Sequence, residues 1–122
     1  MTDAQVGTEG MPGFAGGRSF TARRRVRWGD TDHEGRLRLD GIARYLQDVA
    51  NDDTRDGGDD PTAPWVVRRT TIEVVSPPRT GEVVELTTFT GGLGSRWAER
   101  RTTIRGEDGG HVEAMALWVH VD

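Results

Sequence analysis

The sequence contains no cysteine. Disulfides, thiolate nucleophiles and Cys-based zinc or iron–sulfur sites are therefore excluded. No apolar run approaches the ~18 residues that a membrane helix requires. The first residues lack a basic start followed by an apolar stretch, so no secretory signal is visible and the cytoplasm is the expected location. Basic residues number 16 against 20 acidic ones, for a net charge of −4. Nucleic-acid binders are more often basic, so neither nucleic acid nor membrane is an expected partner. The cations are arginines, which suits oxyanion recognition but is also a habit of GC-rich genomes.

What is present suits one globular domain. The chain has 122 residues, 34% hydrophobic and 30% charged, enough for a single core. Residues 1–19 are rich in glycine and lack periodicity, so they read as a disordered leader. Phe20 to Trp28 alternates loosely and reads as a strand, with Phe20, Ala22, Arg24, Val26 and Trp28 on one face. Gly29 to Gly35 has turn chemistry. Leu39, Ile42, Ala43, Leu46, Val49 and Ala50 then form one apolar stripe at helical spacing. Asp40 is the candidate N-cap, and Gly57-Gly58 the left-handed C-terminal cap. Asp59 to Pro64 reads as a loop.

Four strands are expected after it: Trp65 to Val75, Glu82 to Thr90, Arg96 to Arg105 and His111 to Val121. The last is apolar on both faces through its middle, which predicts a central strand covered on both sides. Short turns predict an antiparallel meander. The economical packing is α+β: a long central helix across the concave face of a curved antiparallel sheet of about five strands. Gly91-Gly-Leu-Gly94 joins two strands, so it reads as a hairpin turn and not a nucleotide loop.

Val26-Arg-Trp-Gly-Asp-Thr-Asp-His-Glu-Gly35, with Ala43 to Ala50 on the helix, resembles the hotdog thioesterases. Leu37 to Asn51, Trp65 to Arg79, Gly81 to Thr90, Arg96 to Arg101 and Ala116 to Val121 resemble the N-terminal half of acyl-acyl-carrier-protein thioesterases. The resemblance implies a single hotdog domain over residues 20–122. It also implies hydrolysis of fatty-acyl-ACP or acyl-CoA thioesters in fatty acid metabolism, with no cofactor. Pairing with a second copy or a second hotdog domain is implied too. In such enzymes a carboxylate attacks the thioester or activates water, and N–H groups at the helix start polarise the carbonyl. The matching carboxylate is Asp32. The matching helix start runs from Asp40 to Ile42, with Gly41 allowing close approach. Gly41 and Ile42 are thus the oxyanion candidates. Arg36, Arg38 and Gln47 stand where many relatives carry His, Asn and Glu, and Asp48 lies beside the last. Asp48 is a second candidate catalytic carboxylate. Arg36, Arg38 and Gln47 are candidate substrate contacts.

Plainer readings stand beside these. Asp32 can equally be a loop carboxylate that stabilises its turn through backbone N–H groups, and Asp30 reads as structural. Asp30-Thr-Asp-His-Glu-Gly35 imitates the start of a calcium loop, but the twelfth position is Gly41 and not Glu, so no metal site is expected. Gln47 and Asp48 can be a polar helix flank, and the arginines solvated ion pairs. Trp65, Trp97 and Trp118 pack in a core or interface, or line an acyl tunnel. The substitutions at Arg36, Arg38 and Gln47 favour the alternative of a noncatalytic half that binds acyl chains or assembles with a second hotdog.

Overall fold

A computed structural model describes residues 18–58 and 65–121. Most of the expected leader, residues 1–17, and the expected loop 59–64 lie outside the described residues. Strand β1 (Phe20–Arg25) leads through a 3-10 turn at Trp28–Asp30 into helix α1 (Leu39–Asp56). Strands β2 (Trp65–Ser76), β3 (Val83–Leu93), β4 (Trp97–Gly106) and β5 (His111–His120) follow. All five strands form one antiparallel sheet in the order β1-β3-β4-β5-β2. One long helix on one antiparallel sheet is the hotdog arrangement.

The topology is not a simple meander. β2 does not neighbour β3; it lies at the far edge and pairs with β5, while β3 pairs with β1. Pro77 and Pro78 follow β2 and bring no backbone N–H to a ladder, which ends the strand there. The buried Pro78 then serves as a joint: its carbonyl accepts from Leu37 N at 2.8 Å. β1 stops at Arg25, short of the expected Trp28, because Val26 turns into the core and donates its N–H to Glu82 O at 2.8 Å. Trp28 consequently points outward and is 82% exposed. β3 runs past Gly91-Gly92 through a bulge to Leu93. Both glycines lie under side chains of β4: an added Cβ would approach Arg101 Cδ to 3.2 Å and Trp97 Cζ3 to 3.3 Å.

The helix buries Ile42, Tyr45, Leu46 and Val49 against Val84, Leu86, Ile104 and Val112 of the sheet. Each such aliphatic side chain contributes about 1.5–3 kcal/mol by leaving water. Leu39, expected on this stripe, is 62% exposed, and Leu37, at 4%, takes its place in the core before the helix starts. Asp40 is not the N-cap. Arg38 holds that position without a side-chain cap, and Asp40 lies in the first turn. At the other end the left-handed residue is Gly58, at φ +86, while Gly57 stays right-handed. β5 is interior to the sheet, yet only Val112 is fully buried along it. Among the described residues the two-sided cover expected from its apolar middle is not seen.

Glu82 ties the turns together. Its residue is 2% exposed. Its carboxylate accepts from Arg79 N at 2.8 Å, Asp108 N at 2.8 Å and Gly110 N at 3.0 Å. Burial pushes the carboxyl pKa up, but these backbone donors hold it below its ordinary 4.5. A Cβ at Gly106 would collide with this carboxylate, so the β4–β5 turn needs glycine there. A carboxyl depressed on folding stabilises fully above its unfolded pKa, and that gain is lost as pH falls through the folded value. Glu82→Gln should therefore cost about 1–3 kcal/mol near neutral pH, and the gap to the parent should shrink below pH 4.5. Urea unfolding at about pH 7 and about pH 3 checks this; an equal gap at both would remove the assignment.

Candidate functional site

The segment from Trp28 to Leu39 is folded by its own short-range bonds. Asp30 N donates to Arg27 O and Thr31 N to Trp28 O, closing the 3-10 turn. Asp32 then opens a tight turn: Gly35 N donates to Asp32 O at 2.9 Å, and Asp32 N to Arg36 O at 2.8 Å. Gly35 adopts φ +80, a conformation that costs a side-chain-bearing residue but not glycine. The chain next crosses to Pro78 through Leu37 N and returns through Arg38 N to Asp30 O at 2.9 Å. That last bond lays the loop over the first turn of α1.

Asp30 is the anchor of this contact. Its Oδ2 accepts from Tyr45 Oη at 2.8 Å and its Oδ1 from Arg44 Nη2 at 2.6 Å. The Tyr45 hydroxyl, and after it Arg44, hold the Asp30 carboxyl below its ordinary range. Tyr45 is 1% exposed; burial raises its pKa, so it stays a donor to Asp30. Arg24 lies 3.6 Å over the Tyr45 ring and pairs with Asp48 at 3.1 Å. Asp30 thus has a structural role: it fastens the turn to the helix. Tyr45 did not stand out in the sequence, and Arg24 did so only as a position on a strand face. Tyr45 sits three residues after Ile42 and four before Val49, so the helical spacing does contain it.

Asp32 faces its own turn. Its Oδ1 accepts from Glu34 N at 2.9 Å and Arg36 N at 3.0 Å, and its Oδ2 from Arg36 Nε at 3.0 Å. The Arg36 backbone N–H, then that of Glu34 and the Arg36 guanidinium, hold its carboxyl at about 2. Arg36 also meets Glu34 at 3.0 Å. Arg38 spends its fork on the loop: Nη1 donates to Gly29 O and Thr31 O, while Nε and Nη2 grip Asp40. Asp40 sits well below the usual carboxylate range through Arg38 and Arg44.

At the helix start, Ile42 N donates to Arg38 O at 3.0 Å, so its N–H belongs to the helix. The N–H groups of Leu39, Asp40 and Gly41 precede that first intrahelical bond. Gly41 has its Cα face occupied. A Cβ there would lie 2.9 Å from Leu37 Cδ1 and 3.2 Å from both Cβ and O of Asp30. The close approach that Gly41 permits is made by the chain's own loop. Farther along the helix, Asp48 is on the exposed flank. Gln47 borders two hollows: a cleft of about 500 Å³ beside Asp30, Arg44 and Tyr45, and a groove of about 230 Å³ between helix and sheet. The expected residues thus fall into three places: Asp32 and Arg36 in the turn, Arg38 to Ile42 at the helix start, Gln47 and Asp48 on the flank. Among the described residues no cluster of three acidic, His or Cys side chains is placed to hold a metal ion. Among the described residues no helix is long and apolar enough to cross a membrane.

Gly41→Ala tests the seating of the loop. Alanine gains up to about 1 kcal/mol over glycine inside a helix, whereas overpacking here costs about 1–3 kcal/mol. A net loss of stability in thermal unfolding is expected. A net gain would mean that the loop is not seated on Gly41.

A family model, the acyl-ACP thioesterase N-terminal domain, matches residues 17–122. Two Mycobacterium tuberculosis strains carry an uncharacterized protein that is 32% identical over 104 residues. That alignment takes 84% of this chain and 42% of the other protein, so the chain spans about two fifths of the length of these curated relatives. Among solved structures, an acyl-ACP thioesterase from Bacteroides thetaiotaomicron is 19% identical with a TM-score of 0.77, over 85% of this chain and 46% of that one. The 12:0-ACP thioesterase of Umbellularia californica is 19% identical with a TM-score of 0.74, over 83% and 42%. A 1,4-dihydroxy-2-naphthoyl-CoA thioesterase from Synechocystis is 13% identical with a TM-score of 0.74, over 83% and 80%. At these identities the likeness is one of fold, shared by longer chains and by one near this length. With the family match running through the whole of the described domain, the chain belongs to the acyl-ACP thioesterase N-terminal domain family.

Proposed function

We propose that this chain works in the hydrolysis of fatty-acyl thioesters, carried by an acyl carrier protein or coenzyme A, in fatty acid metabolism in the cytoplasm. The observation that carries the reading is the loop–helix junction. Asp32 and Asp30 stand on a loop held at the start of α1, where orphan N–H groups and the positive end of the helix dipole favour a developing oxyanion. Asp32 supplies the carboxylate. A carboxyl held at about 2 is anionic at neutral pH. It is a weak base there, so attack on the carbonyl or orientation of water suits it better than removal of a proton. Of the two oxyanion candidates, Gly41 is the one whose N–H precedes the first intrahelical bond. Gln47 and Asp48 flank the reacting end, and Arg36 contacts the thioester's carrier group.

A second hotdog domain, from another copy or from a longer chain, completes the site. Two features support pairing. β2 is an edge strand with Val66, Val67, Val74 and Val75 each more than one third exposed, and such an edge is a template for further pairing. The curated relatives are also more than twice as long as the matched segment. A noncatalytic, acyl-binding half remains a second reading. The three donors already on Asp32 and the filled face of Gly41 favour it.

Hydrolysis of acyl-CoA and acyl-ACP thioesters by the parent and by Asp32→Asn separates the two. Under the first reading the parent turns over, and the variant loses about 100-fold or more in kcat while it remains folded by circular dichroism. An undiminished variant would sink Asp32 as the reacting group, and a folded parent without turnover would favour the noncatalytic reading.

A further inference from the structure

The sheet has a second edge, which pairing through β2 leaves open. There β1 has a single neighbour, β3. Val26, just past the end of β1, gives its N–H to Glu82 O at 2.8 Å and accepts that of Gly81 at 2.9 Å. Backbone groups alternate in direction along a strand. Val26, Arg24 and Ala22 therefore turn theirs toward β3, and Arg25, Arg23 and Thr21 turn theirs to the open edge. Arg27 follows the same alternation: its N–H points away from β3, to Tyr45 Oη at 3.3 Å. A row of unpaired donors and acceptors of this kind is a template for another strand.

A cleft of about 1030 Å³ runs beside that edge. Every residue from Ala22 to Trp28 lines it, and α1 lines its other side between Tyr45 and Arg55. That helical stretch covers about 15 Å, the length of about four or five residues of extended chain. Ala22, Val49 and Leu86 give the cleft an apolar wall. Its charge is unbalanced. Among the described residues, the side chains of Arg27 and Arg55 have no partner, and that of Arg25 bonds only the Gly81 carbonyl, at 2.7 Å. Asp48 is taken by Arg24, which leaves Asp52 as the one lining carboxylate without a cation among the described residues. Arg27 stands at the Tyr45 end. Arg55 stands at the end where Arg18, ahead of β1, reaches Asp53 and Asp56. In a chain of net charge −4, this is a locally positive surface.

We infer that the β1 edge docks an extended acidic segment of a partner protein, which adds to the sheet as one more strand. The outward backbone groups of Thr21, Arg23 and Arg25 supply the ladder. Side chains of the added strand alternate. Apolar ones face the wall of Ala22, Val49 and Leu86, and carboxylates face outward beside Arg23 and Arg25, with Arg27 and Arg55 at the two ends. The arginines also set the specificity. A second copy of β1 would bring like charges opposite one another, which destabilises a pair, so the edge refuses itself and admits an acidic strand. Neither Asp32 nor the start of α1 lines the cleft, so this inference does not depend on the thioester reading.

The probe is a short fluorescent peptide that alternates glutamate and valine, titrated into the full chain by fluorescence anisotropy. It should bind, and amide exchange at Arg23 and Arg25 should slow while Arg24, already turned to β3, is unchanged. Two versions N-methylated on alternate residues, one along each edge of the peptide, separate a ladder from plain charge attraction. One should bind about tenfold more weakly than the parent peptide, and the other within about twofold. The double variant Arg27→Gln with Arg55→Gln removes side chains that have no partner to lose. It should keep its fold by circular dichroism and weaken the acidic peptide roughly fivefold. A lysine–valine peptide should not bind. No binding of the acidic peptide would overturn the inference, as would equal affinity of the two N-methylated versions or an unchanged affinity in the double variant. A single-stranded oligonucleotide of equal charge that binds more tightly than the peptide would also overturn it and make the cleft a polyanion site.

Discussion

Asp30 decides where the helix lies relative to everything before it. One carboxylate accepts from Tyr45 and Arg44 on α1, and the backbone oxygen of the same residue accepts from Arg38 just ahead of the helix. Tyr45 is also a core side chain, stacked under Arg24 of β1. Sheet edge, loop and helix are therefore fixed through a single residue. The polar contact is affordable because it is complete: the carboxylate has two donors, and the tyrosine hydroxyl both gives to it and receives from Arg27 N at 3.3 Å. A half-satisfied version of the same junction would destabilise the fold.

The sheet is wider than the helix that covers it. The core gathers where α1 meets β3, β4 and the start of β5, while β2 adds to it only the partly buried Ile72. This asymmetry leaves β2 open and the groove beside Ala43 and Gln47 accessible. Arg100 and Thr102 line that groove, and Asp53 and Thr88 both bond Arg100. Thr88 is fully buried and bonds Thr102 at 2.9 Å and Arg101 O at 3.0 Å. A network so buried specifies one packing of helix against sheet, since each alternative would strand a charge or a hydroxyl.

Much of this was legible in the sequence, for a physical reason. The helix of eighteen residues and all five strands are signalled by periodicity and by glycine or proline punctuation. Those signals come from burial, which acts on every residue of an element. What periodicity could not supply were decisions made by single contacts. Leu39 and Leu37 have the same side chain, and which one is buried depends on where Asp30 seats the loop. Asp40 has the chemistry of an N-cap, but Arg38 and Arg44 offer it charge-assisted partners and the helix starts without it. Glu82 reads as the start of a strand, but the strand begins at Val83, and the β4–β5 turn brings two more N–H groups to the Glu82 carboxylate. The order of the strands was hidden as well, because β2 chooses β5 over its sequence neighbour.

The turn at Asp32 joins the two readings of the site in one piece of geometry. The bonds from Glu34 N, Arg36 N and Arg36 Nε that shape the turn are the same ones that depress the carboxyl. Such an anion is stable and well placed but weakly basic. In water that combination makes a poor catalyst. A thioester needs less activation than an amide or ester, and desolvation by a second domain would raise the carboxylate's reactivity without any change in its turn. Under the thioesterase reading, the turn without such a cover would be slow. Under the same reading, competence at Asp32 would depend on what covers the turn, and the exposed Trp28 and Leu39 stand at the two ends of the loop that carries it.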